Sequence, residues 1–179
     1  MLSSKDYRHL YQITAKFTPL AGDCGLLCGK TCCRPGKNNE LGMYLFPGEE
    51  VMFTRQEDWL LWEEQDPAEQ FFPASWPNPV FFIRCTGQCP REARPLACRF
   101  FPVTPHLQLN GELLMIYETL DLPYRCPLIT QSIPLHQGFI STVEEAWKIM
   151  LKDHRIYELV VEDSRYREEN NLPVQVVLG

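Results

Sequence analysis

Four thiols fall within ten residues in the stretch Cys24-Gly-Leu-Leu-Cys28-Gly-Lys-Thr-Cys32-Cys33, and four more follow at Cys85, Cys89, Cys98 and Cys126. Cysteines clustered this way are spent on ligating a metal, on redox chemistry or on disulfides, and the compartment decides among these. The N-terminal residues lack the apolar core of a secretory signal, and no later run of about 18 apolar residues could span a bilayer. The expectation is a cytoplasmic chain with no membrane partner. In a reducing cytosol the thiols serve as ligands or redox groups; in an oxidising compartment four disulfides would take their place.

Cys24, Cys28 and Cys32 recur every fourth residue, which on a helix would put their thiols on one face. Gly25 and Gly29 disfavour a stable helix there, so a compact turn folded around a metal is expected. Adjacent side chains diverge and a vicinal disulfide is strained, so one of Cys32 and Cys33 should serve a second metal, a cluster or redox chemistry.

Charge sharpens this reading. The net charge of −6 argues against nucleic acid as a partner. Yet Lys30, Arg34 and Lys37 surround the first cluster and Arg84, Arg91, Arg94 and Arg99 the second, with Glu92 the sole acid in either span. Cations beside thiols lower their pKa and offset the charge of thiolates on a metal. A solvated basic face, or pairing with acids elsewhere, explains the bases equally well.

The 179 residues suit one α+β domain, residues 1–179, and fifteen prolines imply short, irregular elements. A helix is predicted over 3–14, with Ser3 as N-cap and Tyr7, Leu10, Tyr11 and Thr14 on one side. Met43–Phe46 reads as a strand, followed by a Pro47-Gly48 turn and a helix from Glu49 to about Trp62. Glu49 reads as an acid at the positive end of that helix rather than as a ligand. Residues 66–79 read as a covering loop whose aromatics shield the metal site, and Val80–Ile83 as a buried strand delivering Cys85. A β-hairpin is expected over Gln108–Tyr117 with a two-residue turn at Asn110-Gly111. Ser141 and Glu144 look like a capping box opening a helix over about 142–153, and a second helix follows over about 154–168. Pro173–Leu178 reads as an edge strand or tail.

With both clusters in view, the pattern resembles the YkgJ-type cysteine-cluster proteins, zinc- or iron-chelating domains with a CxxCxxCC signature. The residues that carry the likeness are Cys24, Cys28, Cys32-Cys33, Cys85, Cys89, the run Arg94-Pro95-Leu-Ala-Cys98-Arg99-Phe-Phe-Pro102, and Cys126, about residues 20–130. The first cluster, Cx3Cx3CC, is wider than the signature. The resemblance implies a small, irregular, metal-stabilised domain binding zinc or an iron-sulfur cluster. Some relatives resemble a flagellin lysine N-methylase, but no GxGxxG follows a strand here to hold a nucleotide-like donor.

All-thiolate ligation suits zinc or iron-sulfur clusters and disfavours hard cations. His106 is expected to lie at the surface or to pack rather than to ligate. All eight cysteines are therefore candidate ligands, and Arg94 and Arg99 are candidate donors to thiolates or nearby acids. A metal-binding module with a structural, sensing or metal-handling role leads. An iron-sulfur enzyme, lysine N-methylase-like or redox, is the alternative, and an adaptor for a protein or nucleic-acid partner is a third.

Overall fold

The computed structural model describes residues 1–33, 41–86 and 89–177, the side chain of Cys33 excepted. Chain order gives α1 (Ser4–Thr14), α2 (Gly25–Cys28), β1 (Gly42–Tyr44), β2 (Leu60–Gln65), β3 (Val80–Cys85), α3 (Leu96–Phe100), β4 (Val103–Leu107), β5 (Leu113–Tyr117), α4 (Pro127–Thr130), α5 (Gln137–Met150) and α6 (His154–Glu169), with 3-10 turns at Thr31–Cys33, Glu49–Met52 and Arg91–Ala93. The fold class is α+β. Two small antiparallel sheets carry the strands, one ordered β1-β3-β2 and the other β4-β5. Among the described residues no helix is long and apolar enough to cross a membrane.

Local chemistry accounts for several boundaries. Ser3 accepts the Asp6 amide while Asp6 accepts the Ser3 amide, a reciprocal cap that satisfies two otherwise orphaned donors and starts α1 as expected. Its face of Tyr7, Leu10, Tyr11, Ile13 and Thr14 is buried, and α1 packs on α5. Phe139, Ile140, Val143, Ala146, Trp147 and Met150 supply the opposing stripe. Phe46, Phe100 and Trp147 meet ring to ring between them. Asp153 ends one helix pattern and caps α6, accepting the Arg155 amide at 3.2 Å.

Four expectations are corrected. The helix from Glu49 stops after Met52, and Leu60–Gln65 is instead a strand, paired along its length from Leu60 opposite Cys85 to Gln65 opposite Val80. Thr54 breaks the run, its amide and hydroxyl both donating to the Glu57 carboxylate. Helix α5 begins five residues before Thr142, because His136 Nδ1 accepts the Gly138 amide at 3.0 Å and serves as cap. Ser141 therefore lies inside the helix, and Glu144 pairs with Lys148.

The hairpin is also displaced. Its first strand is Val103–Leu107, and a five-residue loop replaces the two-residue turn, with the Gln108 amide bonded to Glu112 O at 2.9 Å and the Gly111 amide to Gln108 O at 2.8 Å. Only Gly111 takes positive φ there, at 84°. Finally, of the aromatics of 66–79, Phe72 and Trp76 join the main core, while Phe71 is exposed, and none lines the cysteine cavity. Phe72 stacks on Trp76, whose indole N–H donates to Arg155 O at 2.9 Å. The tail adds an edge contact through a bridge between Val176 and Ile116.

Candidate metal centre

The turn carrying Cys24 and Cys28 is one helical turn, closed by Gly29 at φ 62° and Lys30 at φ 61°. Such left-handed residues reverse the chain within a step, so the peptide folds back compactly instead of extending the helix. Thr31–Cys33 follows as a 3-10 turn. The expectation for the Cys33 thiol falls outside the described side chains, as do the bases Arg34 and Lys37.

Beside this segment lies a cavity of about 600 Å³. Cys24 and Cys32 come from the first cluster, Cys85 from the end of β3 and Cys98 from α3, and all four line it. Its apolar wall includes Met43, Tyr44, Phe82, Phe101 and Tyr124. Cys28 and Cys126 sit beside the same group. Burial pushes the Cys24 thiol up, reinforced by Asp23 and by the neighbouring Cys126 and Cys28. Burial likewise raises Cys126, which opens α4, with Cys28 adding to it.

Cys89 behaves in the opposite way. A hydrogen bond from the Cys85 thiol and then the Arg94 guanidinium pull it down to about 6. Arg94 Nε–H donates to its Sγ at 3.3 Å. Cys89 is buried and borders a second, more open hollow with Lys30, Arg91 and Arg94. The third sulfur contact joins two strand-distant residues, the Cys98 thiol donating to Met43 Sδ at 3.1 Å.

The basic residues divide between the roles anticipated for them. Lys30 pairs with Asp23 at 3.5 Å and Arg84 with Glu63 at 2.9 Å, so both answer acids. Arg94 meets a thiol. Arg99 lies over the Tyr11 ring and donates to the carbonyls of Arg94, Tyr11 and Glu92 and to Thr14 Oγ1. It thereby ties α1 to the segment carrying Cys98. His106 is buried in β4 with Nε2 3.8 Å from Glu168, and burial lowers its pKa. It does not line the cavity.

Glu49, read as an acid at a helix start, is fully buried. Its carboxylate accepts the Tyr11 hydroxyl at 2.8 Å and the amides of Leu96 at 2.7 Å and Phe46 at 3.0 Å. It positions α3, and with it Cys98, rather than offering oxygen to a metal. Met43 was read only as a strand residue. Its sole sequence signal is its sulfur, and nothing local distinguishes it from core.

Four cysteines and Met43 line the cavity, a donor set that suits a thiophilic ion in chemical type, and the carboxylates Glu92 and Glu118 line it too. Among the described residues no group of three or more histidine, cysteine or acidic side chains stands close enough to hold a metal ion as the side chains lie. The sulfurs stand instead as a Cys85–Cys89 pair and a Cys98–Met43 pair, with Cys28 and Cys126 within electrostatic reach of Cys24. Compared with family models, curated proteins and solved structures, the chain matches none.

Proposed function

We propose that this chain is a cytoplasmic metal-binding protein of the YkgJ-like kind, in which cysteine thiolates hold zinc or an iron-sulfur cluster. The observation that carries the reading is the convergence of Cys24, Cys32, Cys85 and Cys98 on one cavity from segments far apart in the chain. Burial raises a thiol pKa by disfavouring the thiolate, and a bound cation offsets that cost. A closed thiolate site contributes roughly 10 kcal/mol or more to folding, enough to hold together irregular turns such as 24–33. The role is structural, sensing or metal handling.

The apolar wall of the same cavity favours a second reading. About 600 Å³ is the size of a small-molecule site, so an iron-sulfur enzyme, redox or lysine N-methylase-like, could bring substrate to the cluster there.

Metal content, visible absorption and thiol count of protein purified without oxygen test both. Colourless protein with bound zinc supports the module, and brown protein with iron and matching sulfide supports the cluster and reopens the enzyme. Cys24→Ser and Cys98→Ser should each release metal and lower Tm by many degrees. Protein that takes up no metal, or variants that retain it fully with unchanged Tm, overturns the proposal.

A further inference from the structure

We infer that Met43 is a metal ligand, and that its thioether with Cys85 and Cys98 forms a soft sulfur site suited to monovalent copper. The inference deepens the proposed metal-binding function and rests on it. Two independent features bring the three residues to one cavity. The first is register: Met43 of β1 lies directly opposite Ile83 of β3. Residues directly opposite share a face, and Cys85, two residues beyond Ile83, shares it too. Met43 and Cys85 are thus diagonal neighbours on one side of the sheet.

The second feature is the approach of α3, which brings Cys98 Sγ to 3.1 Å from Met43 Sδ. All three sulfurs line the same cavity. Gly42 makes this possible, since a Cβ there would collide with the Ile83 carbonyl and the Phe82 ring, and only a bare glycine lets β1 seat Met43 at this register.

Donor chemistry then discriminates among ions. Zinc draws on cysteine, histidine and carboxylate, and iron-sulfur clusters on cysteine thiolate. A thioether adds little for either, whereas it is a good donor to monovalent copper, which also accepts low coordination numbers. Tyr44, Phe82 and Phe101 line the cavity and give such an ion a largely apolar surround. On binding, the Cys85 and Cys98 thiol protons leave to solvent, copper keeps its oxidation state, and no electron moves.

The test loads full-length protein anaerobically with Cu(I) or Zn(II), each in competition with a chromogenic chelator. It also follows the Met43 methyl resonance in protein carrying 13C-methyl methionine, assigned by its loss in Met43→Leu. That swap conserves volume and should preserve the fold. The expected result is a Cu(I) shift of this resonance, and at least tenfold weaker Cu(I) binding in Met43→Leu with zinc affinity unchanged. An unmoved resonance, or equal Cu(I) affinity in wild type and Met43→Leu while Cys98→Ser still loses metal, overturns the thioether and leaves the thiolate centre standing. Wild-type protein that takes up neither ion nor iron overturns both.

Discussion

Glu49 Oε1 accepts the Leu96 amide at 2.7 Å, so a fully buried carboxylate at the foot of the first sheet holds the first residue of the helix that presents Cys98. The same oxygen takes the Tyr11 hydroxyl, and Oε2 takes the Phe46 amide. Burial raises the Glu49 pKa against these donors. Every partner is a donor, so an amide in its place must turn one N–H against another. Glu49→Gln should therefore cost about 2–3 kcal/mol in denaturant unfolding. Because it loosens α3, it should also weaken metal retention; unchanged stability would mean the carboxylate is not the link between the helices.

How much of this was legible in the residues depends on range. The Ser3 cap, the break at Asp153 and the start at Val80 of the strand that delivers Cys85 follow from neighbours a few positions away, and all three lie where the pattern puts them, though that strand runs on from Ile83 to Cys85 itself. Leu60–Gln65 was misread because Val51, Met52, Trp59, Leu60 and Trp62 imitate a helical stripe behind two acids. Only its pairing with β3, some twenty residues on, decides for a strand. The eight thiols were plain as candidates. Which of them meet was not, since that depends on Glu49, Arg99 and Gly42, whose partners lie elsewhere in the chain.

Gly42 offers a direct check on that long-range part. Its neighbour Met43 pairs with Ile83, and a methyl at position 42 would run into Ile83 O and the Phe82 ring. Backbone cannot give way as a flexible side chain can, so β1 must move off β3. Gly42→Ala is expected to lower stability by about 2–4 kcal/mol, read by thermal or denaturant unfolding. A neutral result would show that β1 has room to slide, and would remove the geometric reason for Met43's position.

The pH dependence of stability should carry the mark of Asp153. Burial alone would raise its pKa, but the Arg155 guanidinium at 2.7 Å and the amides of Leu2 and Arg155 hold it down at about 2. Its unfolded value is about 3.9. The folded value is the lower, so the contribution is complete above about pH 4 and is lost as pH falls toward 2. Asp153→Asn should cost about 2–3 kcal/mol at neutral pH and flatten the acid limb of the stability curve. An acid limb of unchanged slope in the variant would assign it to other carboxylates.

Arg94 separates a role beside the metal from a role in the fold. Its Nε–H reaches Cys89 Sγ at 3.3 Å, and its carbonyl receives Arg99 at 2.6 Å. A substitution removes only the first of these, because the carbonyl stays. Arg94→Ala should therefore keep Arg99 seated and the helical content intact, while a thiolate that has lost its donor binds metal about 10- to 100-fold more weakly. Cys98→Ser, by contrast, should lose metal and many degrees of Tm together. Chelator competition and thermal melts on the two variants give the comparison. If Arg94→Ala melts as low as Cys98→Ser, the guanidinium holds the fold and its contact with Cys89 is incidental; if it binds metal as tightly as wild type, the hydrogen bond contributes nothing to the centre.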